Sequence, residues 1–255
     1  MNSERIVAII QGRMASSRLP GKVLKEIAGE AMLEHVVARA RQAKTIDEVV
    51  VATTTEPEDV EIEKFCQARD IPVYRGSLND VLDRFYQAAK VYCADVVVRL
   101  TADCPLLDPG VVDHTVEIFL QSGVDFAANR LPPPFKRTYP IGLDIEVCKF
   151  AALEQAWKEA RAPYEREHVM PYLYDVAGRF KIIRVDYTED YGDRRWTVDT
   201  PEDLELVRQV FARLGDQKNF TWLDVLAIFE REPELAQING QIRHKTFLDV
   251  DERAK

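Results

Sequence analysis

The sequence predicts a three-layer α/β fold in which a mainly parallel sheet is covered by helices on both faces. Short, β-branched apolar runs alternate with helix-period segments through the first half of the chain. These runs are apolar nearly throughout, as strands buried on both faces are. A length of 255 residues, 46% of them hydrophobic, fits one domain, 1–255, without a second core.

Each element has its own signal. Residues 5–10 (RIVAII) read as a first buried strand, and residues 32–44 as a helix with Leu33, Val36, Val37 and Ala40 on one face. The VVVAT run makes 48–53 a strand. Pro57 opens a helix over 57–69 that turns Val60, Ile62 and Phe65 inward. Residues 71–74 form a short strand, 81–92 a helix, 95–100 (DVVVRL) a central strand and 111–121 a helix. The rhythm changes near residue 125. A PPP run at 132–134 predicts a stiff extended connection, and strands are expected at 141–148 and 180–186, with helices at 151–160 and 165–176. About 130–185 therefore reads as an inserted lobe. The tail from Pro201, PEDLELVRQVFARL, is helical, with Pro at its first position and acids in its first turn. Trp157, Trp196 and Trp222 are expected in the core.

The formal charge of −9 argues against nucleic acid or an anionic membrane as partner, and no apolar stretch approaches the roughly 20 residues a bilayer requires. The opening MNSERIVAII is too short and lightly flanked for a signal peptide, so a soluble, cytosolic protein is expected. Cys66, Cys93, Cys104 and Cys148 form no CxxC pair, and the four histidines form no cluster. Any metal should be a hard cation held by carboxylates and phosphate oxygens.

Three segments carry chemistry. QGRMASSRLPGK (11–22) places Arg13, Arg18 and Lys22 among glycines and serines directly after the first strand, at the edge where such sheets bind ligands. Backbone N–H groups plus fixed cations suit a nucleoside triphosphate. The segment is neither a P-loop nor a dinucleotide fingerprint, and by composition alone it also reads as a solvated turn. RLTADCP (99–105) sets Asp103 just past a buried strand, as a metal carboxylate or a turn residue. In RRWTVDTPED (194–203), Asp199 ends a short strand expected at 196–198. Thr200 caps the next helix, with Asp203 as its capping-box partner, which accounts for Asp203 and leaves Asp199 for a metal.

These segments, with GSLNDVLDRFYQAA (76–89), YPIGLDIEV (139–147) and EREHVMPYLY (165–174), resemble the SpsF-type spore-coat polysaccharide cytidylyltransferases, relatives of the synthetases of CMP-Kdo and CMP-sialic acid. The resemblance spans about residues 5–215. It implies a glycosyltransferase-A-like nucleotidyltransferase fold whose small lobe mediates homodimer formation. It also implies transfer of CMP from CTP to a small acidic sugar, with Mg2+ and release of pyrophosphate, for surface polysaccharide or glycoconjugate synthesis. By the same resemblance Arg13, Arg18 and Lys22 bind the triphosphate, with Gln11, Gly12 and Ser17 beside them. Asp103 and Asp199 hold magnesium. Gly76, Ser77, Asp83, Arg84 and Arg99 border the base and ribose, and the acceptor side takes Asp144, Glu146 and His168. Where sialate-type relatives carry DxD, this chain has Thr197-Val198-Asp199, and Thr197 is a poor magnesium ligand.

On the residues alone, His168 is equally a packed helix-face histidine, and Asp144 and Glu146, alternating on one strand face, read as acceptor contacts or salt-bridge partners, with a metal-binding pair as the lesser alternative. A glycosyltransferase consuming a nucleotide sugar shares the expected fold but has no need of the SSRLPGK cations. A non-catalytic nucleotide binder has no need of Lys22, Asp103 and Asp199 together.

Overall fold

In chain order the strands and helices are β1 (Ile6–Gln11), β2 (Glu26–Ile27), β3 (Glu30–Ala31), α1 (Met32–Ala40), β4 (Glu48–Thr54), α2 (Val60–Gln67), β5 (Val73–Gly76), α3 (Val81–Val91), β6 (Val96–Thr101), α4 (Pro109–Ser122), β7 (Phe126–Ala128), β8 (Glu146–Lys149), α5 (Phe150–Glu159), α6 (Pro163–His168), α7 (Pro171–Tyr174), β9 (Ile182–Arg184), α8 (Pro201–Leu214) and α9 (Trp222–Arg231). The structure, a computed structural model, describes residues 4–131 and 137–243. The proline run at 132–134 lies outside the described residues.

Seven strands form one sheet in the order β5-β4-β1-β6-β8-β7-β9, and β2 pairs with β3 in a separate small ribbon. Within the large sheet only β8 runs against its neighbours; β5, β4, β1 and β6 are parallel, as are β7 and β9. Along β1, Ile6, Ala8 and Ile10 face the core beneath α1, α2, α4, α8 and α9, while Val7 and Ile9 face the one beneath α3, α5 and α7. That is why β1 reads as an unbroken apolar run: it is buried from both sides. The chain leaves β1 toward β4 and β5, then returns to place β6 on β1's other flank. The order therefore reverses between β1 and β6, and their carboxyl ends, at Gln11 and Thr101, form the switch point where such sheets bind ligands.

Helix starts follow their caps. Asp80 accepts from the Asp83 N–H to start α3, and Asp108 accepts from the Val111 N–H to start α4, with Pro109 at its first turn. The expected Thr200–Asp203 capping box opens α8, and Thr221 with Asp224 repeats it at α9. Asp108 also accepts from the Trp222 N–H at 2.6 Å, tying α4 to α9. Trp196 and Trp222 are buried as expected, whereas Trp157 is only half-buried, stacked on Tyr86.

Within the stretch read as an inserted lobe, β8 pairs with β6 and β7, and β9 extends the same sheet beyond β7. The helix expected over 165–176 breaks into α6 and α7 at Val169, which sits at φ 70° while the Met170 N–H bonds back to the His168 carbonyl. Pro171 then starts α7 afresh. The strand expected over 141–148 begins only at Glu146, because Ile141 pairs elsewhere: its N–H donates to the Arg194 carbonyl and its carbonyl accepts from the Trp196 N–H. Residues 196–198 likewise form no strand; the Val198 N–H donates instead to the Asp103 carbonyl at 2.8 Å. This extended segment is threaded between Ile141 and Asp103.

Gly142 makes the threading possible. It sits at φ 110°, and a Cβ there would lie 2.7 Å from the Thr197 nitrogen and 2.8 Å from the Trp196 carbonyl carbon. Both the dihedral and the close approach exclude a side chain. Gly142→Ala is expected to destabilise the protein by about 2 kcal/mol or more, read as a lowered urea midpoint, because the obstructing atoms are backbone.

Candidate active site

The first loop leaves β1 with the Gly12 N–H bonded to the Ala52 carbonyl, 3.2 Å away. A Cβ on Gly12 would fall 2.9 Å from that of Ala102, so glycine lets the loop pass close to the continuation of β6. Asp59 holds the loop from the neighbouring connection. One of its oxygens accepts from the Met14 N–H at 2.6 Å and the other from the Thr54 N–H at 3.2 Å. The loop closes on itself through the Gly21 N–H and the Met14 carbonyl, and Gly21, at φ 67°, turns the chain so that Lys22 begins a short 3₁₀ turn. Arg13 and Ser17 are exposed on this loop, and Arg18 is half-buried.

The Lys22 ammonium donates to Asp103 Oδ2 at 2.8 Å, Asp199 Oδ1 at 2.9 Å and the Val198 carbonyl at 2.8 Å. Arg18 reaches the other Asp199 oxygen at 3.1 Å. The four residues expected to carry the chemistry thus meet at the switch point between β1 and β6, although Lys22 and Asp199 are 177 positions apart in sequence. Burial works against the Lys22 charge, but the Asp103 and Asp199 carboxylates outweigh it and hold its pKa above the ordinary 10.5. Burial likewise opposes the Asp199 charge, yet Lys22, Arg195 and Arg18 hold that carboxyl well below the usual range. Both groups are charged throughout the neutral range.

A buried network behind this cluster is not evident from the motifs. Arg195 donates to both oxygens of Asp203, at 2.9 and 2.8 Å, and also to Asp199 Oδ2 at 2.9 Å. Asp203, 0% exposed, accepts further from the Asp199 and Thr200 N–H groups and from Asn239 Nδ2. The capping role expected for Asp203 is real but incomplete, since the same carboxylate fixes the backbone and guanidinium that orient Asp199. Arg195 stands four residues before Asp199, inside a segment the sequence already marks. Asn239 has no local signal, because it arrives from beyond α9.

Cys104 lies beside this cluster, 3.1 Å from the Thr101 hydroxyl, and burial pushes its pKa well up, so it is a neutral thiol. Cys66 and Cys148 are buried as well, and burial pushes Cys66 up to about 12. Cys93 alone among the four cysteines is exposed. Native protein is therefore expected to bind one equivalent of a thiol-specific dye rapidly, and a Cys93→Ser variant none on the same timescale.

The remaining expected residues are engaged in varied ways, and none of their bonds is to Lys22, Asp103 or Asp199. Gly76 lets Arg84 pack closely, since a Cβ there would meet the Arg84 side chain at 3.0 Å. Arg84 is buried, donates to the Ser77 carbonyl at 3.1 Å and has a buried Nε without a hydrogen-bond partner. Burial first, then repulsion from Arg13 and Arg99, pushes its pKa down to about 10, with Asp59 acting in the opposite sense. Asp83 accepts from Trp157 Nε1 and Gln87 Nε2, so its carboxylate joins α3 to α5. Arg99 donates to the Gln11 side chain at 3.1 Å and pairs with the buried Glu146, while Asp144 pairs with Arg137 at 2.9 Å and Arg130 at 3.7 Å. Both acids are thus in salt bridges, as one of their expected readings has it, and among the described residues they join no group of three or more metal-binding side chains. His168 is half-buried at the end of α6, just before the turn at Val169.

Among the described residues no group of three or more His, Cys, Asp or Glu side chains converges to hold a metal. Asp103 and Asp199 do converge, since one ammonium touches both. Two carboxylates whose remaining partners would be phosphate oxygens and water fit a hard cation such as Mg2+. Thr197 is buried, and its hydroxyl donates to the Asp103 carbonyl at 3.2 Å.

Cations from the first loop and two carboxylates meeting at the switch point fit a nucleotidyltransferase. More narrowly, the chain belongs to the cytidylyltransferase family, whose sequence model matches residues 7–231. The spore coat polysaccharide biosynthesis protein SpsF of Bacillus subtilis is 30% identical over 244 residues, covering 91% of this chain and 96% of its own. A 3-deoxy-manno-octulosonate cytidylyltransferase of Anaeromyxobacter sp. is 34% identical over 245 residues, covering 82% of this chain and 97% of its own. The structure of a cytidylyltransferase from Leptospira borgpetersenii superposes with a TM-score of 0.87 at 35% identity, over 95% of this chain and all of that one. No helix among the described residues is long and apolar enough to cross a membrane.

Proposed function

We propose that this protein transfers CMP from CTP to a hydroxyl of a small acidic sugar, with Mg2+ bound at Asp103 and Asp199 and with release of pyrophosphate. The observation that carries the reading is the meeting of Lys22, Arg18, Asp103 and Asp199 at the switch point. Arg13 and Arg99 repel the buried Arg84, which supports an anion such as the triphosphate beside them, and an acidic sugar as acceptor is supported by the 3-deoxy-manno-octulosonate cytidylyltransferase among the relatives. Arg130 and Arg137 flank Asp144 close by in the chain and supply further cations.

The acceptor hydroxyl oxygen attacks the α-phosphorus, the bond to the pyrophosphate oxygen breaks, and the hydroxyl proton is lost to solvent. Negative charge builds on the phosphoryl oxygens and the leaving group, so positioning and electrostatic stabilisation dominate. Arg18 can grip phosphate oxygens in pairs, and Lys22 supplies a compact point charge. Arg195 and Asp203 keep Asp199 in place while phosphates enter. When bound, Mg2+ supplies further neutralisation of the phosphates and lowers the pKa of a coordinated oxygen.

The test is a screen of nucleoside triphosphates against acceptors, read by pyrophosphate release. It should span nonulosonic acids, 3-deoxy-manno-octulosonate, simple sugar acids and neutral sugars. Turnover is expected with CTP and an acidic sugar and to stop with a chelator. Release from UTP or ATP alone, or only with neutral sugars, would overturn the reading. The homodimer and cytosolic location belong to the same proposal, and light scattering and fractionation check them.

A further inference from the structure

The Lys22 ammonium has three hydrogens, and all three are engaged, by Asp103, Asp199 and the Val198 carbonyl. None is left for a phosphate. Its side chain is only 11% exposed, against 33% for Arg18. The charges around it also cancel: Arg18, Lys22 and Arg195 face Asp103, Asp199 and Asp203. A free divalent cation entering this balanced cluster would add two uncompensated charges and compete with a resident ammonium for both carboxylates. A metal arriving with a nucleotide brings an excess of negative charge, and its phosphates offer the displaced ammonium new partners.

We infer that Lys22 is the resident cation of the Asp103–Asp199 pair, so that a divalent metal loads with the nucleotide and not before it, the lysine passing from the carboxylates to the phosphates as both enter. The inference rests on the reading of Asp103 and Asp199 as metal ligands. The fold suits such an exchange. The loop backbone is fixed through Met14, Gly21 and Asp59, so the movement falls on a flexible four-carbon side chain and not on the loop. Arg195 keeps its grip on Asp199 throughout, because it is itself held by both oxygens of Asp203.

The experiment measures Mn2+ binding to the nucleotide-free protein by electron paramagnetic resonance of the unbound ion. Wild type is compared with Lys22→Met and Lys22→Gln. Wild type should bind Mn2+ weakly, and each variant at least about tenfold more tightly, since the metal no longer displaces charge-assisted hydrogen bonds. Mn2+ should also raise the thermal midpoint of the variants more than that of wild type, restoring a cation between the two carboxylates. Equal affinities, or variants that neither fold nor regain stability with Mn2+, would overturn the inference. Mn2+ binding in the presence of CTP, for wild type, Asp103→Asn and Asp199→Asn, separates the two readings. If both substitutions abolish the ternary complex but the Lys22 variants bind Mn2+ like wild type, only the resident-cation role falls. If neither substitution weakens the ternary complex, the metal reading fails and takes this inference with it.

Discussion

Asp103→Asn is expected to cut pyrophosphate release from CTP and its acceptor by about 10²–10³-fold, the order seen when one preorganised electrostatic contact is removed from a transition state. The substitution keeps the shape of the side chain and the carbonyl that accepts from Val198 and Thr197, so the threaded segment stays stitched to β6. Lys22 retains Asp199 and the Val198 carbonyl. The thermal midpoint should therefore move by only a few degrees while turnover collapses. A variant with normal stability and near-normal turnover would remove Asp103 from the reaction.

Asp203→Ala acts by another route and should be the more damaging to the fold. Its carboxylate receives two hydrogen bonds from Arg195, two from the backbone at Asp199 and Thr200, and one from Asn239, all without solvent exposure. Removing it strips the buried guanidinium of its bidentate partner and leaves it Asp199, and orphans the Asp199 and Thr200 N–H groups, which together cost about 3 kcal/mol or more. Urea unfolding should show that loss. Activity should fall steeply even where the variant is folded, since Asp199 loses the anchors of its N–H and of its arginine neighbour. Arg195→Ala should share the loss of activity. A stable, active Asp203→Ala would show that Asp199 positions itself without this network.

What the sequence makes legible follows from what is local. β1, β4 and β6 are central parallel strands, and burial on two faces writes them as plain apolar runs. The Thr200 box can be read because its donor and acceptor lie three residues apart. The chemistry of 11–22 was readable because cations and glycines crowd into one loop. The region from 137 to 199 was less so. Ile141 pairs with Arg194, Arg195 and Trp196, more than fifty residues away, and nothing in YPIGL distinguishes that from a strand continuing into β8. The break between α6 and α7 depends on a valine at positive φ, a conformation no propensity predicts. Arg195 and Asn239 support Asp199 only once α8 and the turns after α9 have packed. Asp144 and Glu146 share a strand-like spacing with metal ligands, and the arginines they pair with come from elsewhere in the chain, where the spacing gives no sign of them.

The bond from Asn239 to Asp203 has a consequence for how the protein comes into being. During translation, the loop with Lys22 leaves the ribosome early and Asp199 much later, and the polar lattice behind Asp199 is complete only after residue 239 has emerged. The nascent chain thus carries a nearly finished sheet with no working centre. Triphosphate cleavage is therefore expected to begin only once residue 239 has emerged and docked behind Asp199.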